Sequence, residues 1–202
     1  MRAGFGVPIM AKKILVLDGH PAKGSFCGAL AQTYADAAKK TGHDVRMVNL
    51  TDLSFDPDLE SASFKTVKPL EADLEDFWAS LEWCDHFVLA HPLWWGGMPA
   101  KLKGLIDRVF LPGKAFRYVS GKALPEKLMA GRTSEVLVTS DTPGWFFRLV
   151  YGQGIKKQTK MQILDFCGLK MKNYSWFAQI QGSTDEARAK MIRKAAQLGA
   201  AI

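Results

Sequence analysis

The sequence has 202 residues, of which 48% are hydrophobic and 23% are charged, enough apolar material for one full core. These proportions exclude a disordered or fibrous protein. Lys and Arg outnumber Asp and Glu by 27 to 20, a net charge of +7, which suits anionic ligands, nucleic acid among them. We expect no nucleic-acid binding, because the basic residues are scattered, without a run of five or a recognisable nucleic-acid motif.

Two further features concern targeting and compartment. No apolar run approaches the roughly 18 consecutive residues that cross a bilayer, so we expect a soluble protein without a membrane span. Residues 1–9 resemble neither a signal nor a transit peptide, and we interpret residues 1–11 as a disordered leader before one domain at 12–202. The three cysteines, Cys27, Cys84 and Cys167, are odd in number and far apart, which favours neither disulfides nor a metal site. We therefore expect a cytoplasmic protein.

Strand and helix patterns alternate along the chain. A buried strand is predicted at 14–18, followed by a helix that begins after Ser25 and ends near 41, and by an alternating strand at 43–50. An excursion rich in Asp, Pro and Ser covers 51–68, and a helix is predicted from Pro69 to about 83. Excursions of this length are often functional.

The same alternation continues to the end of the chain. A strand is predicted at 85–91, a helix at 99–110 and a strand at 135–140. An aromatic segment at 142–154 then leads to a helix that ends near 167. A strand within 169–180 and a last helix capped by Thr184 complete the chain. Five such alternations in one short chain predict an α/β fold with a single doubly wound parallel sheet. Ligands of such sheets bind beyond the carboxyl ends of the strands, here the loops after the first, third and fourth strands.

The first of these loops, 19–27, joins a strand to a helix N-terminus. The free N–H groups and the positive dipole end of a helix favour a phosphate at this position, and Ser25 and His20 add side-chain donors. The alternative is that Ser25 only caps the helix, which is the commonest use of serine there. The loop has neither the G-x-G-x-x-G pattern nor a P-loop lysine, which argues against a dinucleotide-binding Rossmann fold or an NTPase.

The second loop, 91–99, places Trp94 and Trp95 side by side between prolines and glycines. Adjacent loop residues do not both enter one core face, so we expect at least one indole to line a pocket for a flat aromatic ligand. The alternative is that both indoles fasten the loop to the following helix.

Short motifs recur from residue 12 onwards: His20 with Ser-Phe at 25–26, the segment 49–57, Pro-Leu-Trp-Trp at 92–95, Met-Pro-Ala at 98–100, Lys-Gly at 103–104, Asp-Arg-Val-Phe at 107–110, Pro-Gly-Lys-Ala-Phe at 112–116 and Phe-Cys-Gly at 166–168. Through these motifs the chain resembles the NAD(P)H:quinone oxidoreductase family of flavodoxin-like flavoproteins. Each motif is weak alone, but together they follow the family's order and spacing over most of the chain.

The resemblance implies a flavodoxin-like sheet of order 2-1-3-4-5 and a homodimer. It also implies an FMN-dependent enzyme, with FAD possible, in which NAD(P)H reduces the flavin by hydride transfer and leaves before a quinone or similar acceptor takes its place. The cofactor residues that it implies are His20, Ser25, Phe26, Cys27, Pro92, Leu93, Trp94, Trp95, Gly96, Thr139, Ser140, Asp141 and Thr142.

One segment departs from the family. Well-studied members have Thr-Thr-Gly-Gly after the fourth strand, whereas this chain has Thr-Ser-Asp-Thr-Pro-Gly at 139–144. A carboxylate of Asp141 near the flavin pyrimidine would oppose the charge of reduced flavin, unless it points away or accepts a backbone hydrogen bond. Well-studied members also place a Tyr and a His over the flavin. None of the four histidines lies within 145–151, so Tyr151 is the candidate catalytic residue and Trp145 a candidate substrate contact.

Some alternatives stay open at this level. Phe116 is either a core residue or a wall of the substrate pocket, and Cys27 is either a packed thiol or one activated by the helix N-terminus. A regulatory or electron-transfer flavoprotein, such as the ancillary subunits of potassium-efflux systems, is the rival function, and a relative that has lost flavin is the third. The sequence does not choose between FMN and FAD, or between NADH and NADPH.

Overall fold

The computed structural model of the chain describes residues 10–63 and 66–202, so the predicted leader lies outside the described residues except for residues 10 and 11. The strands are β1 (Lys13–Asp18), β2 (Asp44–Asn49), β3 (His86–Pro92), β4 (Phe116–Arg117), β5 (Glu126–Lys127), β6 (Thr133–Ser140) and β7 (Lys170–Ala178). The helices are α1 (Phe26–Lys40), α2 (Ala72–Trp83), α3 (Ala100–Val109), α4 (Gly144–Leu149), α5 (Gly154–Lys157), α6 (Asp165–Cys167) and α7 (Asp185–Ala200).

Five strands form one parallel sheet in the order β2-β1-β3-β6-β7. This order confirms the predicted 2-1-3-4-5 arrangement, because β4 and β5 form a separate antiparallel hairpin outside this sheet. The two-residue strands of that hairpin are too short to produce a recognisable alternation in sequence. Every residue of β3 is buried, as expected for a central parallel strand covered on both faces.

Helices cover both faces of the sheet. The helices α1 and α7 pack on one face over Val16, Val88 and Leu137, whereas α2 and α3 pack on the other over Leu15, Leu89 and Val136. The alternation of side chains along each strand produces these two cores. Among the described residues, no helix is long and apolar enough to cross a membrane.

Arg108 of α3 fixes the excursion between β2 and α2. Its fully buried guanidinium donates to both carboxylate oxygens of Glu71, at 3.1 and 2.7 Å, and to the carbonyl oxygens of Asp56 and Pro69. The Arg108 hydrogen bonds lower the pKa of Glu71 to about 2. These contacts keep residues 69–71 out of the helix, so the predicted start of α2 at Pro69 is wrong and the helix begins at Ala72.

The segment after β6 is more irregular than predicted. A short helix, α4, is followed by α5, a π-helical stretch at Gln158–Leu164, and α6, which ends at Cys167 as expected. Gly168 follows with φ +104, and a Cβ at this position would collide with the backbone of Ala130. Glycine therefore both stops the helix and permits its close approach to the β5–β6 connection.

Two buried histidines make the fold sensitive to acid. His91 is fully buried, its Nδ1–H donates to the Pro92 carbonyl oxygen at 2.9 Å, and its Nε2 has no described partner. His86 bonds through Nδ1 to the Thr133 hydroxyl at 2.7 Å. Burial lowers the pKa of each imidazole from 6.5 to about 4. Both imidazoles therefore stay neutral in the folded protein at pH values where the same two histidines of the unfolded chain are already protonated.

We predict that the free energy of unfolding falls as the pH drops from 6.5 towards 4. The unfolded state takes up the two protons first, so the pair contributes a loss of about 3 kcal/mol between pH 6.5 and about pH 5. Urea titrations over this range measure the slope. His86→Gln should reduce the slope by about half, and an unchanged slope would show that other groups control the acid sensitivity.

Candidate functional site

A cavity of about 200 Å³ lies at the carboxyl ends of β1, β3 and β6. The order of the sheet explains its position, because the connections from β1 and from β3 leave in opposite directions and separate the loops above these strands. Ten of the thirteen predicted cofactor residues line it, namely His20, Ser25, Phe26, Cys27, Pro92, Leu93, Trp94, Thr139, Ser140 and Asp141. The eleventh lining residue, Ile180, follows β7 and was not predicted.

The N-terminus of α1 forms one side of the cavity. Ser25 caps the helix, and its Oγ accepts the N–H of Gly28 at 3.0 Å. The prediction that Ser25 caps the helix is therefore confirmed. In this role the Ser25 hydroxyl only accepts a hydrogen bond. The Ser25 O–H remains a donor, and the first N–H groups of a helix have no intrahelical acceptor. This end of α1 thus offers several donors to an anion.

His20 adds a second side chain to this end of the cavity. Its Nδ1 atom lies 3.0 Å from the Ala22 backbone nitrogen and 3.1 Å from the Ala22 carbonyl oxygen, so it bonds to Ala22 in either tautomer. The His20 ring contacts the Trp94 indole edge to face, with centroids 5.6 Å apart.

Asp18, at the end of β1, fixes the start of the loop 19–27 by a hydrogen bond, and the sequence analysis did not predict this role. Its Oδ1 accepts the His20 backbone N–H at 3.0 Å, and burial raises the pKa of this nearly buried carboxyl. A Cβ at Gly28 would collide with Asp18 Oδ2, so glycine is required in the first turn of α1. The signal available in sequence was a carboxylate at the end of an otherwise apolar strand.

Trp94 and Trp95 differ sharply in position. The Trp94 side chain is partly exposed and lines the cavity, whereas the Trp95 side chain is fully exposed and does not. Reciprocal backbone hydrogen bonds between Trp94 and Gly97, at 3.0 and 2.9 Å, close a turn whose central residues, Trp95 and Gly96, both have positive φ. This is the pattern of a type I′ turn. The expectation that at least one indole lines a pocket is met by Trp94.

The loop after β6 forms the opposite side of the cavity. The Ser140 Oγ accepts the Thr142 N–H at 3.0 Å, and Asp141 Oδ1 accepts the Gln181 N–H at 2.6 Å. Asp141 therefore ties the β6 loop to the segment after β7, instead of bonding within its own turn. Asp141 also lines the cavity. The alternative that it accepts a backbone hydrogen bond is met by the Gln181 N–H, and its effect on a flavin stays a prediction.

Cys27 is a packed residue in this environment. The thiol is buried, and its pKa is raised by burial and, to a smaller extent, by the Asp18 carboxylate. The alternative of a thiol activated by the helix N-terminus is therefore wrong.

Several predicted site residues lie outside the cavity. Trp95, Gly96 and Thr142 do not line it, and the Thr142 carbonyl oxygen accepts the Trp176 indole N–H at 3.2 Å. Phe116 is buried and lines a different cavity of about 310 Å³. Trp145 and Tyr151 are exposed, and each packs edge to face on Phe146.

The chain belongs to the family described as having a flavodoxin-like fold, whose model matches residues 12–198. It is 25% identical to an uncharacterized NAD(P)H oxidoreductase of Haemophilus influenzae over 187 residues, 91% of this chain and 92% of the relative. It is also 25% identical to the mouse (Mus musculus) ribosyldihydronicotinamide dehydrogenase [quinone] over 213 residues, covering 92% and 90% of the two chains.

Among solved structures, the fold matches a Streptococcus mutans UA159 protein with a TM-score of 0.81 and 30% identity, covering 94% of this chain and all of the other. The family and the observed strand order agree. The structure therefore has the sheet and the loop arrangement of a flavodoxin-like protein.

The turn at Trp95 gives a prediction that needs no ligand. Trp95 has φ +49, a conformation that costs a bulky residue about 1 kcal/mol or more and that asparagine tolerates better. We expect Trp95→Asn to raise the free energy of unfolding by about 0.5–1 kcal/mol in urea titrations. Gly96→Ala should lower the free energy of unfolding by about 1 kcal/mol, because Gly96 has φ +77, which alanine adopts only with strain. No atom lies within 4 Å of the added Cβ, so the loss would measure this backbone strain alone. Destabilisation by Trp95→Asn would refute the strain.

Proposed function

We propose that this protein is a flavin-dependent NAD(P)H oxidoreductase that passes a hydride to a quinone or a similar small acceptor, the two substrates binding in turn. The convergence of ten predicted cofactor residues on one cavity at the N-terminus of α1 carries the proposal. The names of the two relatives that span almost the whole chain support it. The flavin supplies the redox chemistry, and the protein binds it, orients it and excludes water.

The donors at the start of α1 fit the phosphate of a flavin nucleotide. The Ser25 O–H is available there, next to the His20 ring and the first N–H groups of the helix. Gly24 has φ +71 and no atom within 4 Å of a Cβ placed on it, so the loop is open where a phosphate would approach. These residues fit the phosphate of a flavin nucleotide, and we propose that they bind it.

The ring system would lie against the second and third loops. Pro92, Leu93 and Trp94 supply apolar surface, and Thr139 and Ser140 supply hydroxyls at the other side of the cavity. A flat ring with a polar edge requires this combination. We propose FMN as the cofactor, with FAD as the alternative that the binding measurements compare. The acceptor contact that we propose is Trp145, with Tyr151 as the candidate proton donor, whereas Phe116 is buried and lines a separate cavity.

Ser25→Ala tests the proposal and separates cofactor binding from capping. Charge-assisted hydrogen bonds contribute about 1.5–3 kcal/mol each, so FMN should bind roughly tenfold more weakly or worse, whereas riboflavin, which has no phosphate, should bind as before. Quenching of Trp fluorescence measures both affinities. Thr184 caps α7 in the same way, through the Ala187 N–H at 3.2 Å.

Thr184→Ala is therefore the matched control: it should lose a similar amount of stability, about 1 kcal/mol, and leave FMN binding unchanged. Equal weakening of FMN and riboflavin by Ser25→Ala would show that Ser25 is only a cap. Absence of FMN and FAD binding at micromolar concentrations would remove the enzyme assignment. Flavin binding without NAD(P)H oxidation would favour a regulatory flavoprotein.

The Asp141 carboxylate should lower the midpoint potential of a bound flavin. A negative charge near the ring disfavours the anionic reduced form, and Asp141→Asn removes the charge but keeps an oxygen that accepts the Gln181 N–H. We expect a higher potential in the variant, faster reduction by NAD(P)H and an unchanged melting temperature. An unchanged potential with a lowered melting temperature would leave Asp141 as a structural link alone.

An apolar patch beside α4 supports a homodimer. Trp145, Leu149, Val150 and Tyr151 are between 54% and 79% exposed, which is unusual for a cluster on a monomer. We propose that a second copy covers this α4 patch. Its burial would also keep the aromatic segment ordered next to the cofactor cavity.

Light scattering at micromolar concentration should therefore give a molar mass of twice the 22.4 kDa of one chain. We expect Leu149→Glu/Val150→Glu to produce a monomer, because two charges in a buried apolar interface lack partners. Leu124→Glu is the control, since Leu124 is as exposed as Leu149, at 79%, but lies outside the patch. A 22.4 kDa wild-type particle would contradict the dimer.

A further inference from the structure

The outer edge of the sheet at β7 has open backbone groups. β7 is the last strand of the sheet, and within residues 10–63 and 66–202 it pairs only with β6. The Asn173 side chain accepts the Tyr174 backbone N–H at 2.8 Å, so this N–H points away from β6. Because backbone groups alternate along a strand, the N–H groups of Trp176 and Ala178 face the same outer edge.

A groove of about 610 Å³ runs along this edge, between the segment 176–178 and α7. One stripe of α7 forms its wall, with Lys190, Met191 and Lys194 at helical spacing and Arg193 beside them. The lining contains three cations and no carboxylate. None of the three forms an ion pair with a described residue. This surface, the β7–α7 groove, is separate from the cofactor cavity.

The spacing of the cations suits an extended chain. Lys190 and Lys194 are four residues apart on a helix, a rise of about 6 Å. Two residues of a β-strand that face the same side are about 6.6 Å apart. A strand lying along β7 would therefore bring alternate side chains opposite successive lysines. The aromatic ring of Phe177, with the Lys194 ammonium 5.1 Å from its centroid, lies at the base of the groove.

We propose that the β7–α7 groove binds an acidic, extended segment of a partner polypeptide, which pairs with the outer edge of β7 as a sixth strand. Backbone groups of Trp176 and Ala178 supply the pairing, and the three cations select carboxylates at alternate positions. The occupant is not the N-terminal segment of this chain, because residues 1–9 contain no Asp or Glu. The proposal does not depend on flavin binding or on catalysis.

A synthetic peptide of four Glu-Thr repeats is the probe, and its fluorescence anisotropy measures the affinity. Lys190→Gln/Lys194→Gln should weaken binding about tenfold, because it removes two of the three cations that would face the carboxylates of the peptide. Lys39→Gln/Lys40→Gln, which removes two exposed charges from the last turn of α1, should leave it unchanged. A peptide of Lys-Thr repeats should not bind, and methylation of the Thr backbone nitrogens in the Glu-Thr peptide should abolish binding.

Amide hydrogen exchange of the full chain supplies the structural readout. The bound Glu-Thr peptide should slow exchange at Trp176 and Ala178 and leave α1 unaffected. The proposal is overturned if the Glu-Thr peptide does not bind at millimolar concentration, if both double variants weaken it equally, or if the two amides stay unprotected. Binding of a single-stranded oligonucleotide, but not of the peptide, to the same lysines would also overturn it and assign the groove to nucleic acid.

Discussion

The parallel pairing of β1 with both β2 and β3 is the constraint on which the site depends. The chain leaves β1 towards β2 and later returns on the other side of β1 to form β3, so the loops above β1 and β3 diverge. The gap between these loops is the cavity, and the N-terminus of α1 lies at its side. Since the buried β3 holds both neighbours in register, the site is a consequence of sheet order and not of any one loop.

The family resemblance implied the sheet order and thirteen cofactor residues, of which ten line the cavity. The sequence itself predicted the strands of the parallel sheet and the edge at which ligands bind, because apolar runs mark buried strands and parallel strands bring the residues at their carboxyl ends together. It failed where a distant partner overrides local preference. Arg108 keeps Pro69 and Glu71 out of α2, although Pro69 alone predicts a helix start.

Individual side-chain directions were predicted less well than positions along the chain. Trp94 and Trp95 are indistinguishable in sequence, but the turn that they form directs only Trp94 to the cavity. The contact between Asp141 and Gln181 joins residues 40 positions apart, which no local pattern reveals. Trp145 and Tyr151 are exposed and do not line the cavity of their own chain, so their proposed roles depend on the proposed second copy.

An anaerobic absorbance spectrum decides whether the protein is a flavin-dependent oxidoreductase. We expect the purified protein, loaded with FMN and freed of excess FMN, to carry one flavin per chain. NADH or NADPH added under nitrogen should bleach its visible absorbance, and a quinone should then restore it. A loaded protein whose flavin stays oxidised in the presence of both nucleotides would contradict the oxidoreductase assignment, and a protein that retains no flavin would contradict the site itself.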